Sequence, residues 1–212
     1  MKLAEPIFLS LQGEGPNVWL PSIFIRFYGC NLLCKWCDSL YAVNKPEGLI
    51  DITVDEIVEQ IKNLKCKNIV FTWWEPSLFE DTIKEIQNEL DWSYTYEIET
   101  NGSRILKNYY HQVNISPKLS NSWNKKYELK ILESENIIEA CFKFVAKTKE
   151  DLEEIQEYIK ENSLSSNIIY IMPMWTDNES QNNKEVLQFC LDNWYHYCQR
   201  MHILLFWNKK WV

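Results

Sequence analysis

With 212 residues, 46% of them apolar and 25% charged, the chain has the make-up of an ordinary globular domain with room for a real core. Its net charge of −8 argues against nucleic acid as the main partner, because phosphate binding needs a basic face. No run of 18 apolar residues occurs, so no membrane span is expected, and "MKLAEPIFLSLQ" lacks the marks of a signal peptide; a cytoplasmic location is the expectation.

In chain order, strand-like runs fall at 6–11, 22–28, 68–72, 94–99, 140–146, 167–172 and 202–206, and helix-like runs at 54–64, 78–90, 149–161 and 184–193. Thr53 and Thr148 precede acidic first turns, as helix caps do. Within 54–64, Ile57, Ile61 and Leu64 recur on one helical face. Strands alternating with helices predict one α/β domain over 1–212, with a mostly parallel sheet forming an open or partial (β/α) barrel. Active sites in such folds lie at the C-terminal ends of the strands.

Seven cysteines without a secretory signal argue against a disulfide scaffold. Cys66, Cys141, Cys190 and Cys198 are scattered and read as small buried hydrophobes. Cys30, Cys34 and Cys37 form C-x3-C-x2-C directly after a strand. Three thiolates on one loop suit a 4Fe-4S cluster with one iron left open. A zinc site with a distant fourth ligand, or plain buried cysteines, are the other readings.

The stretch "GCNLLCKWCDS" resembles the cluster loop of the radical S-adenosylmethionine superfamily. More specifically, "QGEG", "FIRF", "CDS", "EIETNG", "SPKLSNS", "MPM" and "HILLF", in that order, resemble the 7-carboxy-7-deazaguanine synthase family. The resemblance implies the superfamily's partial barrel, a 4Fe-4S cluster, S-adenosylmethionine and Mg2+. It implies a radical ring contraction of 6-carboxy-5,6,7,8-tetrahydropterin with loss of ammonia, on the way to queuosine and other 7-deazapurines. It also implies a flavodoxin or ferredoxin as electron donor, and a homodimer.

Residue by residue, the resemblance makes Cys30, Cys34 and Cys37 the cluster ligands and Ser39 a magnesium ligand, unless Ser39 is only a turn residue. Gln12, Gly13, Glu14, Arg26, Thr72 and Val212 match substrate contacts; Trp74, Ser116, Pro117, Lys118, Met172, Pro173, Met174 and Trp175 match the cofactor site. Arg26 shares a strand face with Phe24, so an inward guanidinium needs an anionic partner. Glu99, Thr100 and Asn101 end a strand and are expected to line the same cleft, or to form a plain turn. Two other functions stay open: an inactive homologue serving as a scaffold, and an activase that makes a glycyl radical on a partner protein.

One departure runs through the chain. The family's T-G-G-E-P reads Thr72-Trp73-Trp74-Glu75-Pro76 here. There are 5 glycines and 10 tryptophans, where a usual glycine share of roughly 7% would give about 15 glycines. Trp36 matches a family aromatic. Trp19, Trp73, Trp74, Trp92, Trp123, Trp175, Trp194, Trp207 and Trp211 stand where glycine is expected. Some bacterial lineages read the codon UGA as glycine, and a gene of that kind decoded with tryptophan would give this pattern.

Overall fold

The computed structural model describes residues 1–37, 48–174 and 183–206. Its strands are β1 (Lys2–Leu3), β2 (Phe8–Leu11), β3 (Pro21–Arg26), β4 (Ile50–Asp51), β5 (Asn68–Thr72), β6 (Thr95–Thr100), β7 (Tyr110–Ile115), β8 (Ile137–Ala146), β9 (Ile168–Pro173) and β10 (His196–Tyr197). The described helices are α1 (Val54–Asn63), α2 (Glu80–Asn88), α3 (Lys149–Glu161), α4 (Lys184–Asn193) and α5 (Met201–Phe206). The main sheet runs β10-β9-β8-β7-β6-β5-β3-β2. All its neighbours are parallel except β2, which pairs antiparallel with β3. β2 and β10 are its two edges, so the barrel is partial.

Local chemistry explains the helices. Thr53 and Thr148 each form a reciprocal capping box, with Glu56 and Asp151 respectively. A 3-10 turn, Pro76–Phe79, leads into α2, because Pro76 fixes φ where no backbone donor is needed.

The sheet has two unlike faces. Ile23, Ile25, Ile69, Phe71, Ile98, Val113, Phe142 and Phe144 point outward and bury against Ile57, Ile61, Ile83, Ile86, Leu152 and Ile155 of the helices. Alternation then sends Arg26, Glu97, Glu99, Gln112, Asn114 and Lys143 to the inner face.

The short strands β1, β4 and β10 are not expected from the sequence, and two longer segments also differ from the sequence expectation. The segment 110–115 carries no strand signal, because Gln112 and Asn114 interrupt its apolar pattern; it is the central strand β7, and both amides sit buried on the polar inner face. The run 202–206, expected as a strand, is in helix α5. A short apolar run does not by itself choose between strand and helix. Here it follows the last edge strand, and Leu204 and Leu205 are half-exposed rather than paired in the sheet.

Candidate active site

One cavity lies at the C-terminal ends of the strands. Its lining comes from many segments: Gln12, Gly13 and Glu14 after β2; Arg26 on β3; Cys30, Cys34 and Cys37 on the following loop; Thr72 ending β5, with Trp73 and Trp74 after it; Glu99 and Thr100 ending β6, with Asn101 after it; Ser116 and Lys118 after β7; Lys143 on β8; Met172 on β9; and Arg200 before α5. Pro117, Pro173 and Met174 neighbour lining residues without lining it themselves; Met174 packs behind the wall with Val145, Met172 and Cys198. Ser39, Trp175 and Val212 lie outside the described residues.

The cysteine loop is tied to two neighbouring turns. Asn101 donates to Asn31 (2.9 Å) and Asn31 to Ser103 (2.8 Å). On the other side Lys35 N donates to Ser122 O (3.0 Å), Leu33 N to Asn124 Oδ1 (2.9 Å), and Asn124 Nδ2 to Cys34 Sγ (3.1 Å). None of the three is in a disulfide among the described residues. Three soft sulfur donors on one cavity wall are the right set for an iron–sulfur cluster. Among the described residues no three acidic, histidine or cysteine side chains are gathered as a metal-binding group, so the loop would have to draw its sulfurs together to hold one. Burial of the sulfur by the cavity wall, with Glu75 nearby, pushes the Cys30 thiol up to about 11; a metal must displace that proton.

Glu75 is fully buried and joins two turns. Its carboxylate accepts from Ser77 N (3.1 Å), Thr100 Oγ1 (2.6 Å) and Asn101 N (2.7 Å). Burial raises its pKa and these donors pull the other way. A relay continues from this turn: Tyr127 Oη donates to Asn101 O (2.8 Å) and accepts from Lys118 N (2.9 Å), while Lys118 Nζ donates to Ser116 Oγ (2.6 Å).

The far wall is polar and charged. Lys143 Nζ, almost wholly buried, donates to Glu14 (2.8 Å) and to Glu99. Burial alone would lower its pKa; the two carboxylates outweigh that and hold it protonated. Glu97 accepts from Gln12 Nε2, from Asn17 Nδ2 (2.8 Å) and from Asn114 Nδ2 (2.6 Å). Burial, helped by the charge of Glu99, pushes Glu97 up to about 7. Arg26 is inward as expected, and its anionic partner is buried Glu5. Its guanidinium stands 4.7 Å from the Phe8 ring centre and 4.5 Å from that of Trp73.

Sequence reasoning misses Lys143, Glu5 and Arg200. Lys143 has a signal: in "CFKFVA" a lone lysine alternates with two core phenylalanines, so it must face the opposite side of the strand. Glu5 and Arg200 have none, because contacts between distant segments bring them to the site.

A model of the Radical SAM superfamily matches residues 24–185. A 7-carboxy-7-deazaguanine synthase from Clostridium acetobutylicum is 37% identical over 180 residues, 79% of each chain. One from Rhodopirellula baltica is 27% identical across 98% of this chain and 88% of its own length. The crystal structure of QueE from Escherichia coli superposes with a TM-score of 0.73 over 95% of this chain and 94% of that one; at 20% identity it speaks for the fold alone. The chain belongs to the Radical SAM superfamily and, within it, to the 7-carboxy-7-deazaguanine synthase family.

Proposed function

We propose that the chain is a carbon–nitrogen lyase that contracts the ring of 6-carboxy-5,6,7,8-tetrahydropterin to 7-carboxy-7-deazaguanine with loss of ammonia, supplying 7-deazapurines such as queuosine. The observation that carries this reading is convergence. Gln12, Gly13, Glu14, Arg26 and Thr72 come from three separate segments and line the same cavity as the three cysteines and the 116–118 loop.

The chain's own residues have separable tasks. Cys30, Cys34 and Cys37 would hold the cluster, and Ser116, Pro117, Lys118, the segment 172–175 and the backbone at position 74 would surround S-adenosylmethionine. Bound together there, the two groups would supply the radical chemistry needed at substrate C6. Arg26 receives the substrate carboxylate; its guanidinium has five N–H donors, and the hydrogen bond to Glu5 uses one of them. Glu14 and Glu99, each bonded to Lys143, offer acceptors to the N–H edge of the pterin. Gln12 and Gly13 let backbone approach the flat ring, Thr72 closes the end of β5, and Val212 touches substrate. Ser39 supplies a hydroxyl to Mg2+, a hard cation that otherwise prefers water and substrate oxygens. The chain works as a single domain in a cytoplasmic homodimer, reduced by a flavodoxin or ferredoxin.

The test uses protein purified from its native host, reconstituted without oxygen with iron and sulfide, reduced, and given S-adenosylmethionine and the pterin. The expected result is a brown protein that forms the deazapurine and ammonia while S-adenosylmethionine is not consumed. A colourless protein, or cleavage of S-adenosylmethionine that ignores the pterin, overturns the reading.

A further inference from the structure

The backbone divides the tryptophans into two kinds. Five have a left-handed φ: Trp19 (76°), Trp73 (65°), Trp74 (54°), Trp123 (64°) and Trp194 (59°). Among the described residues only two other non-glycine residues, Lys65 and Ser163, share that region. A bulky L residue there is an outlier, because Cβ crowds the following carbonyl. Trp36, the tryptophan that matches the family pattern, is not in this set, and neither is Trp92. Four of the chain's own glycines, Gly15, Gly29, Gly48 and Gly102, also have positive φ.

Burial offsets little of the strain, although Trp73 lies under Arg26 (4.5 Å) and Trp123 under Lys35 (3.5 Å). Trp194 is 93% exposed, Trp123 72% and Trp19 48%. Trp74 is partly buried, yet its Nε1 is buried with no hydrogen-bond partner among the described residues. Trp74 stacks on Trp73 (5.8 Å between centroids) and edges against Tyr28 (4.9 Å), beside the cysteine loop. With both indoles in place the cavity is about 250 Å³. Small-molecule sites commonly measure roughly 300–1,000 Å³, and this one has to take a nucleoside cofactor and a bicyclic substrate together.

We infer that the working chain carries glycine at positions 19, 73, 74, 123 and 194, encoded by UGA read as glycine. The ground beside the cysteine loop where the two indoles stand is then an open, backbone-lined floor of the cofactor site. The identity of the residues rests on the dihedrals; only the identity of what the floor receives rests on the function proposed above.

The decisive measurement is the mass of the proteolytic peptide spanning 68–84 from the native host. Glycine at both 73 and 74 is the expected result. Tryptophan at either position overturns the inference. A second measurement compares recombinant chain bearing tryptophan with its Trp73→Gly/Trp74→Gly variant, both carrying a reconstituted cluster. S-adenosylmethionine is added, and binding is read from the change in the electron paramagnetic resonance of the reduced cluster. The variant is expected to bind about tenfold tighter or more, and equal binding overturns the claim that the indoles block the site. If the native peptide carries glycine and the variant binds but leaves the pterin unchanged, the inference stands and the proposed function fails.

Discussion

Two turns sit side by side at the same end of the sheet, one after β5 and one after β6, and their side chains could hardly differ more. After β6 the chain turns through Thr100, Asn101 and Gly102. Gly102 takes φ +80°, and a Cβ there would come within 2.7 Å of Leu129 Cδ1 and 2.9 Å of Ile115 Cγ2. Gly102 N donates to Thr100 Oγ1, Asn101 N to Glu75, and Ser103 N to Asn101 Oδ1. After β5 the backbone asks for the same left-handed conformation twice, at Trp73 and Trp74. It gets two indoles, and one of them buries an N–H without a partner among the described residues. Packed parallel strands leave little room above their C-terminal ends, so the turn conformation is imposed by the fold. Residue choice then decides whether that conformation is relaxed or strained.

The contrast can be broken most forcefully by copying one turn's chemistry into the other. Gly102→Trp is expected to cost about 2–6 kcal/mol, from backbone strain of roughly 1–3 and overpacking of 1–3. Urea unfolding measures it, and a loss below about 1 kcal/mol would show that the turn is not held by its neighbours. Next comes the wall that leads into the β6 turn. Lys143→Met removes the buried cation shared by the half-buried Glu14 and Glu99 and should cost about 3–5 kcal/mol, because the ion-pair network loses its centre. The same unfolding curves measure it, and a change under about 1 kcal/mol would mean that the two acids do not depend on the lysine.

Glu97 gives a pH-dependent version of the same test. Its folded pKa of about 7 lies above the unfolded value, so the folded state takes up the proton first. Its carboxyl is neutral in both states at low pH and imposes no penalty there. Stability is lost as pH rises from the ordinary glutamate range through about 7. The loss should be on the order of 2–3 kcal/mol in chemical unfolding curves and largely absent in Glu97→Gln. A parallel pH dependence in both proteins would sink the assignment. The smallest effect is a gain. Trp194 ends α4 in a left-handed cap and is almost wholly exposed. Trp194→Gly should therefore raise stability by about 1–2 kcal/mol, the usual strain of that conformation in an L residue. An unchanged or lower melting temperature would count against strain at that cap.

Much of the architecture is legible in the residues alone. Helices α1, α3 and α4 and strand β5 follow from periodicity and caps, because those signals are local. The cysteine loop and the ordered family motifs point to the site, and most of those residues line one cavity. Strand β7 is not legible, because its inward Gln112 and Asn114 serve the polar wall rather than the core. Helix α5 is hidden for a related reason: its short apolar run is neutral between helix and strand until the neighbours are known.

The sequence by itself determined the alternation of strands and helices, the sulfur donors, and the oddity of tryptophan standing in glycine's places. Only the tertiary structure decided that Glu5 faces Arg26, that Lys143 lies between Glu14 and Glu99, and that five of the tryptophans must hold a left-handed backbone. Composition and periodicity are properties of neighbours along the chain. Ion pairs across more than 100 residues, such as Lys143 with Glu14, and the φ that a crowded turn demands are set by what folding brings alongside.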